Sequence, residues 1–230
     1  GGPDDADRFA AYRAQRVVLS KTRPTQAPTI GVRKAPAPEG RPGFIRIDSV
    51  HQGDLDGIKG LYHINAVDCV TQWQVVASVQ TISEAHLLSV IEQMLAQFPF
   101  EILGFHADNG SEYVNHKVAR LLDKLRIEFT RSRPRHSNDN GLAETKNGAV
   151  VRKMFGFAHI ARSRAGLLNE FNHEHFNPLN NLHRPCLFAR LEEDPDKPGR
   201  TRKRYDARDA RTPLEKLASL RAVFKKDGTV

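Results

Sequence analysis

Three extended runs in close succession, followed by alternating helical and extended segments, constrain this chain more than any other feature. The run GFIRIDSVHQ (43–52) alternates apolar and polar residues, as a strand with one buried face does. LYHINAVDCV (61–70) and QWQVVASV (72–79) are rich in β-branched and aromatic residues and nearly abut, which predicts an antiparallel three-stranded meander. Thr81 and Glu84 have capping-box spacing, and apolar positions 87, 88, 91, 94, 95 and 98 form a stripe that stops at Pro99. A helix is therefore expected from about 82 to 98. EILGFHAD then reads as a short buried strand, VNHKVARLLDKL as a helix with 118, 121, 122 and 125 on one face, IEFT as a strand and GLAETKNGAVVRKMFGF as a helix. The order βββαβαβα predicts an α/β domain with a mixed five-stranded sheet flanked by helices.

The ends differ from this centre in composition. Residues 1–42 carry 8 Lys and Arg against 4 Asp and Glu, residues 43–190 carry 16 against 15, and residues 191–230 carry 11 against 8. Basic ends around a nearly neutral centre suggest arms that follow a polyanion. The stretch SKTRPTQAPTIGVRKAPAPEGRPG has five prolines and almost no large apolar residues, so it is expected to run extended as a linker or docking arm. A linker this long suggests a further domain upstream. Residues 191–230 begin as a second charged, Pro-rich link, and Leu214, Leu217, Leu220 and Val223 then recur at helical spacing. The expected division is an arm (1–42), a core (43–190) and a basic tail with a short helix (191–230). No apolar window is long enough for a membrane span. The start lacks the apolar core of a signal peptide, and Cys69 and Cys186 form no framework or paired motif, which fits a reducing cytoplasm.

Three carboxylates fall where such a fold can gather them. Asp48 lies in the first strand, Asp108 just after the fourth, and Glu144 in the first turn of the helix after the fifth. Between Asp48 and Asp108 lie 59 residues, and between Asp108 and Glu144 lie 35. This spacing, the order of elements and the local stretches IDSVH, HADNGSEY and NDNGLAETKNG together resemble the DDE transposase and retroviral-integrase superfamily, especially its bacterial insertion-sequence transposases. The resemblance covers roughly residues 43–180.

The resemblance implies a ribonuclease-H-like core that cuts DNA at insertion-element ends and joins the 3′-hydroxyl to target DNA by metal-dependent transesterification. Asp48, Asp108 and Glu144 would be both catalytic residues and metal ligands, with Asp48 bridging two ions and the others each completing one site. Mg²⁺ is the expected metal, with Mn²⁺ as a substitute, because hard cations take oxygen ligands and keep substrate phosphates in their shell. The partners would be DNA, as element ends and target, and further copies of the chain in a dimer or larger assembly, in the bacterial cytoplasm and without a membrane. Arg131, Arg133 and Arg135 in TRSRPRHSNDNG are candidates for holding phosphates. Helical geometry from Glu144 adds Asn147 and Arg152 as DNA-facing candidates and sets Lys146 on the opposite side. A nuclease of the same fold that cleaves without joining, and a non-catalytic DNA-binding module, are the alternatives.

Other polar residues point elsewhere. Asp54 and Asp56 in HQGDLDG lack the acid that a Ca²⁺ loop needs at its twelfth position and read as a surface hairpin. Asp68 is expected to bond a turn, and Glu112 to favour a helix N-terminus. His173, His175, His183 and Cys186 lack the paired spacing of structural zinc. His51 is open between positioning a phosphate and packing beside the strand.

Overall fold

The computed structural model describes residues 30–108, 113–136, 139–194 and 199–220. The expected meander is present: β2 (Phe44–His51) pairs antiparallel with β5 (Tyr62–Asp68), and β5 pairs antiparallel with β6 (Gln74–Val79). Between β2 and β5 lies the surface hairpin read from HQGDLDG, formed by β3 (Asp54–Leu55) and β4 (Ile58–Lys59). Helix α1 (Glu84–Leu95) leads to β7 (Gly104–Ala107), which joins β2 in parallel. Helix α2 (His116–Lys124) leads to β8 (Glu128–Arg131), parallel to β7. With β1 (Val32–Arg33) at one edge, the sheet order is β1-β8-β7-β2-β5-β6. The sixth strand, beyond the five expected, is β1, by which the Pro-rich arm pairs with Thr130 and Arg131. Most of that arm, residues 1–29, lies outside the described residues.

The period-2 pattern of β2 assigns its faces. Ile45 and Ile47 are buried in the larger core cluster with Ile64, Ala66, Phe105, Ala107 and the apolar stripes of α1 and α2. The opposite face carries Asp48 and Val50, and there Val50 and Val76 pack against Val150, Val151 and Phe176. β2 starts at a position only glycine fills. Gly43 has φ +110, and a Cβ there would collide with the Glu101 carbonyl oxygen. Its N–H donates to Asp68, whose carboxylate also accepts from the backbone of Val70 and Thr71 and from the Thr71 hydroxyl, the turn role expected of it.

Three elements depart from the sequence expectation. The N-cap of α1 is Ser83, whose hydroxyl accepts from His86 N–H, and not the expected Thr81. The helix expected over 141–157 is α3 (Gly141–Lys146) continued by a π-helical segment (Asn147–Arg152) and a last α-turn (Lys153–Phe155). The stretch read as a charged link contains a long antiparallel hairpin instead, β9 (Cys186–Glu193) with β10 (Thr201–Arg211). It crosses the boundary drawn at 190. Helix α5 (Pro213–Ser219) follows with a full Thr212–Glu215 capping box, and its Leu217 is fully buried in the larger core; Val223 lies outside the described residues.

The edge strand β6 is closed by side chains. Asn169 on α4 (Ala165–Phe171) and Asn177 and Asn181 beyond it each accept a backbone N–H and donate to a backbone carbonyl of one β6 residue. Asn169 pairs with Ser78, Asn177 with Val76 and Asn181 with Gln74, at distances of 2.6–3.2 Å. Each amide stands in for a strand residue, so the edge offers no free ladder there. Replacing Asn177 with Ala leaves a buried donor and a buried acceptor of Val76 unpaired, at about 1–3 kcal/mol each. Urea unfolding of Asn177→Ala is expected to show a loss of at least about 2 kcal/mol; a loss under about 0.5 kcal/mol would contradict the pairing.

Candidate functional site

Strand register brings two of the three acids to one face. Ile47 pairs with Ala107 across the parallel β2–β7 ladder, so Asp48 and Asp108, each one residue further on, emerge on the same side. Asp108 is exposed and directly follows the last paired residue of β7; residues 109–112 lie outside the described residues. Two residues earlier on that face, His106 is buried and held by Thr130 (2.9 Å) and Ser132 (3.3 Å). Burial, helped by the positive charge of Arg46, lowers its pKa to about 4. A neutral, doubly held imidazole therefore fixes the strand end that presents Asp108.

Glu144 arrives on α3, and asparagines dock that helix. Asn140 donates to the Ile47 carbonyl (3.1 Å), immediately before Asp48. Asn65 on β5 donates to the Ala143 carbonyl (3.2 Å) and to Asn147 Oδ1 (2.9 Å), and Asn147 donates to Asp48 Oδ2 (2.7 Å). Glu144 itself is exposed, on the turn between Ala143 and Asn147. The π-helical turn begins at Asn147. π-Turns are uncommon and concentrate at functional sites.

Electrostatics ties the three acids together. Burial raises the pKa of Asp48, and the charges of Glu144 and then Asp108 raise it further, while hydrogen bonds from Ser49 N–H and Asn147 pull it down. Among the described residues, however, no three His, Cys, Asp or Glu side chains come close enough to share a metal ion. The acids are thus neighbours in charge without forming a closed ligand cluster. The donor set fits a hard divalent cation, being all carboxylate oxygen with mutual repulsion that a cation would relieve.

The remaining candidates separate. Arg131 is buried at the end of β8, on the Ala107 side of the sheet. Arg133 is committed to Asp139, with bonds of 2.8 and 2.9 Å from the guanidinium and one of 3.0 Å from its N–H, and this pair holds Asp139 well below the usual carboxylate range. Arg135 is exposed and free of that pairing. Arg152 donates to the carbonyls of His51 (2.7 Å) and Gly156 (3.2 Å) and lies over the Phe157 ring, so it braces the helix end against β2. Lys146 is buried, with Nζ 3.0 Å from Cys186 Sγ. His51 lies tilted against Tyr62, with ring centroids 4.7 Å apart, and meets Asp54 at 3.1 Å. Asn65, Asn140, Gln74 and His106 were not singled out from the sequence. Asn65 sits inside an apolar-looking strand, and only the register places it opposite Asp48.

The raised pKa of Asp48 has a definite sign. Its charged form is disfavoured in the folded chain, so stability falls as pH rises from the ordinary carboxylate value through the raised one. Asp48→Asn removes that penalty and still offers an oxygen to Asn147. Its Tm at neutral pH should exceed that of the unaltered chain, by roughly 2–4 °C per kcal/mol relieved, with the difference shrinking in acid. Equal melting at both pH values would contradict the assignment.

Parts of the chain are similar to known proteins. Residues 41–137 match the family model for the integrase core domain, a span that includes Asp48 and Asp108 and ends before Glu144. An uncharacterized protein, y4rM, of Sinorhizobium fredii is 30% identical over 125 residues, covering 54% of this chain and 36% of that protein. The chain thus spans about a third of that relative's length. Among solved structures, the catalytic core of BIV integrase aligns with TM-score 0.44 and 16% identity over 62% of this chain and 85% of that one. The catalytic core of HTLV-2 integrase, solved with magnesium in a dimeric form, aligns with TM-score 0.47 and 14% identity over 64% and 91%. An intasome of simian T-cell lymphotropic virus with a PP2A regulatory subunit gives TM-score 0.48 and 18% identity over 71% and 56%. Residues 41–137 are thus similar to an integrase core domain, and that span holds β2, β5, β6, β7 and β8 of the mixed six-stranded sheet.

Proposed function

We propose that this chain is the catalytic region of an insertion-element transposase, which cuts DNA at element ends and joins the exposed 3′-hydroxyl to target DNA. The observation that carries the reading is the grouping of Asp48, Asp108 and Glu144 around one sheet face, where the charges acting on Asp48 include two further carboxylates. Divalent cations, Mg²⁺ or Mn²⁺, held by these three side chains would neutralise charge on a phosphodiester and activate water or a 3′-hydroxyl. The chain's own part is placement. Asp48 is fixed from behind by Asn147 and Ser49, Asp108 is presented by the end of β7, and Glu144 stands exposed on the docked helix α3, where it can close on a ligand.

DNA is the proposed partner, and Arg135 is the best placed of the predicted phosphate contacts because it is exposed beside the Arg133–Asp139 pair. Arg133, Asn147 and Arg152 act in this reading mainly through the protein contacts already described, and buried Arg131 is the weakest candidate. Joining two element ends calls for at least two copies of the chain. Among the described residues no helix is long and apolar enough to cross a membrane, in keeping with a proposed place in the bacterial cytoplasm.

The test uses pre-cut element-end DNA with Mg²⁺ or Mn²⁺. Asp108→Asn preserves size and turn preference while removing the ligand charge. It should melt normally and bind DNA as well as the unaltered chain or slightly better. Its joining rate should fall at least about 100-fold, equivalent to about 2.7 kcal/mol of lost transition-state stabilisation. Joining near the unaltered rate by folded Asp108→Asn would refute the catalytic role; cleavage without joining by the unaltered chain would make it a nuclease.

A further inference from the structure

Behind Asp48 runs a chain of buried amides with a fixed direction. Gln74 Nε2 donates to Asn65 Oδ1 (2.8 Å), Asn65 Nδ2 donates to Asn147 Oδ1 (2.9 Å), and Asn147 Nδ2 donates to Asp48 Oδ2 (2.7 Å). Asn65 is fully buried and Gln74 nearly so. The direction is set at both ends. An ionised carboxylate only accepts, so Asn147 must turn its NH₂ to Asp48. Asn65 also donates to the Ala143 carbonyl, which fixes its own NH₂ toward α3. Gln74 is held in turn by its backbone, since Asn181 bonds both its N–H (2.8 Å) and its carbonyl (2.7 Å).

We propose that Asn65 and Gln74 are positioning residues for the metal site: they hold the Asn147 amide in the one orientation that donates to Asp48. One oxygen of Asp48 is thereby anchored to the protein, and the carboxylate keeps its remaining lone pairs for a divalent cation. The inference rests on the proposed metal-binding role of the acids and extends it two residues deeper, to positions on β5 and β6 that touch neither DNA nor metal. Removing Asn65 takes away the donor that anchors Asn147 Oδ1 to β5, so the Asn147 amide is held only from the Asp48 side and the carboxylate loses its fixed position. Removing Gln74 loosens Asn65 less, because the Ala143 carbonyl still holds it.

The probe is Mn²⁺ alone, titrated into the full chain without DNA and followed by electron paramagnetic resonance of the free ion. Neutral substitutions avoid adding charge: Asn65→Leu should weaken Mn²⁺ binding about tenfold or more, equivalent to about 1.4 kcal/mol, and Gln74→Met should weaken it by a smaller factor. Asn177→Ala, which removes an edge-strand amide from the same sheet, should melt lower yet bind Mn²⁺ as before. Unchanged affinity in both Asn65→Leu and Gln74→Met, or an equal loss in Asn177→Ala, would overturn the proposal. An unaltered chain that binds no Mn²⁺ would overturn the metal reading of the acids, and this inference with it. Should the variants fail to fold, side-chain amide NMR of the unaltered chain decides. Added Mg²⁺ should shift the Asn147 and Asn65 signals and leave Asn177 in place, and an unmoved Asn65 would count against the relay.

Discussion

The hydrogen bond from Asn147 to Asp48 is the contact on which the site depends, because it joins the helix that brings one acid to the strand that carries another. Packing alone offers little hold at this end of α3. The apolar contact of Val150, Val151 and Phe176 with Val50 and Val76 lies further along, in and beyond the π-helical turn. Nearer to Glu144 the helix meets a polar sheet face, and amides replace apolar contacts. Asn140 bonds before Asp48, and Asn65 bonds beneath Ala143. Buried polar groups are costly unless paired, and once paired they fix direction as well as distance, which apolar contacts do not. The proposed metal ligands, which need oriented oxygens, would benefit from that difference.

The same chemistry recurs at the sheet edge. Asn169, Asn177 and Asn181 satisfy β6 along the side where another strand would otherwise pair. Through Gln74 this edge is continuous with the amides behind Asp48, so the segment after residue 165 bears on the site although it contributes none of the three acids. The opposing term is charge. Asp48 is partly buried beside two other carboxylates, a stability cost that the chain retains. Clustered like charge of this kind is a mark of functional sites more than of structural ones.

Much of this was legible in the sequence. The meander and the α/β alternation follow from periodicity and turn residues, patterns that repeat along the chain, whereas the three acids stand out only by their spacing and the resemblance it carries. Asn65 and Gln74 have no such signature, since their roles depend on cross-strand register and an amide in a strand reads as a neutral residue. Arg131 belonged by sequence to a basic loop, yet the last residue of β8 turns it inward. The β9–β10 hairpin was hidden because its strands carry charges on exposed faces and flank a Pro-containing connection, and composition resembles that of a linker. The π-turn was also invisible, because NGAVVR fits an ordinary helix.

The most direct measurement is anomalous diffraction from crystals of this chain soaked in Mn²⁺. An anomalous peak bound by Asp48 and Asp108 is expected, with Asn147 still donating to Asp48 and Glu144 drawn toward the ion. A well-ordered soaked crystal with no peak between those two aspartates, or with Mn²⁺ bound only elsewhere, would contradict it.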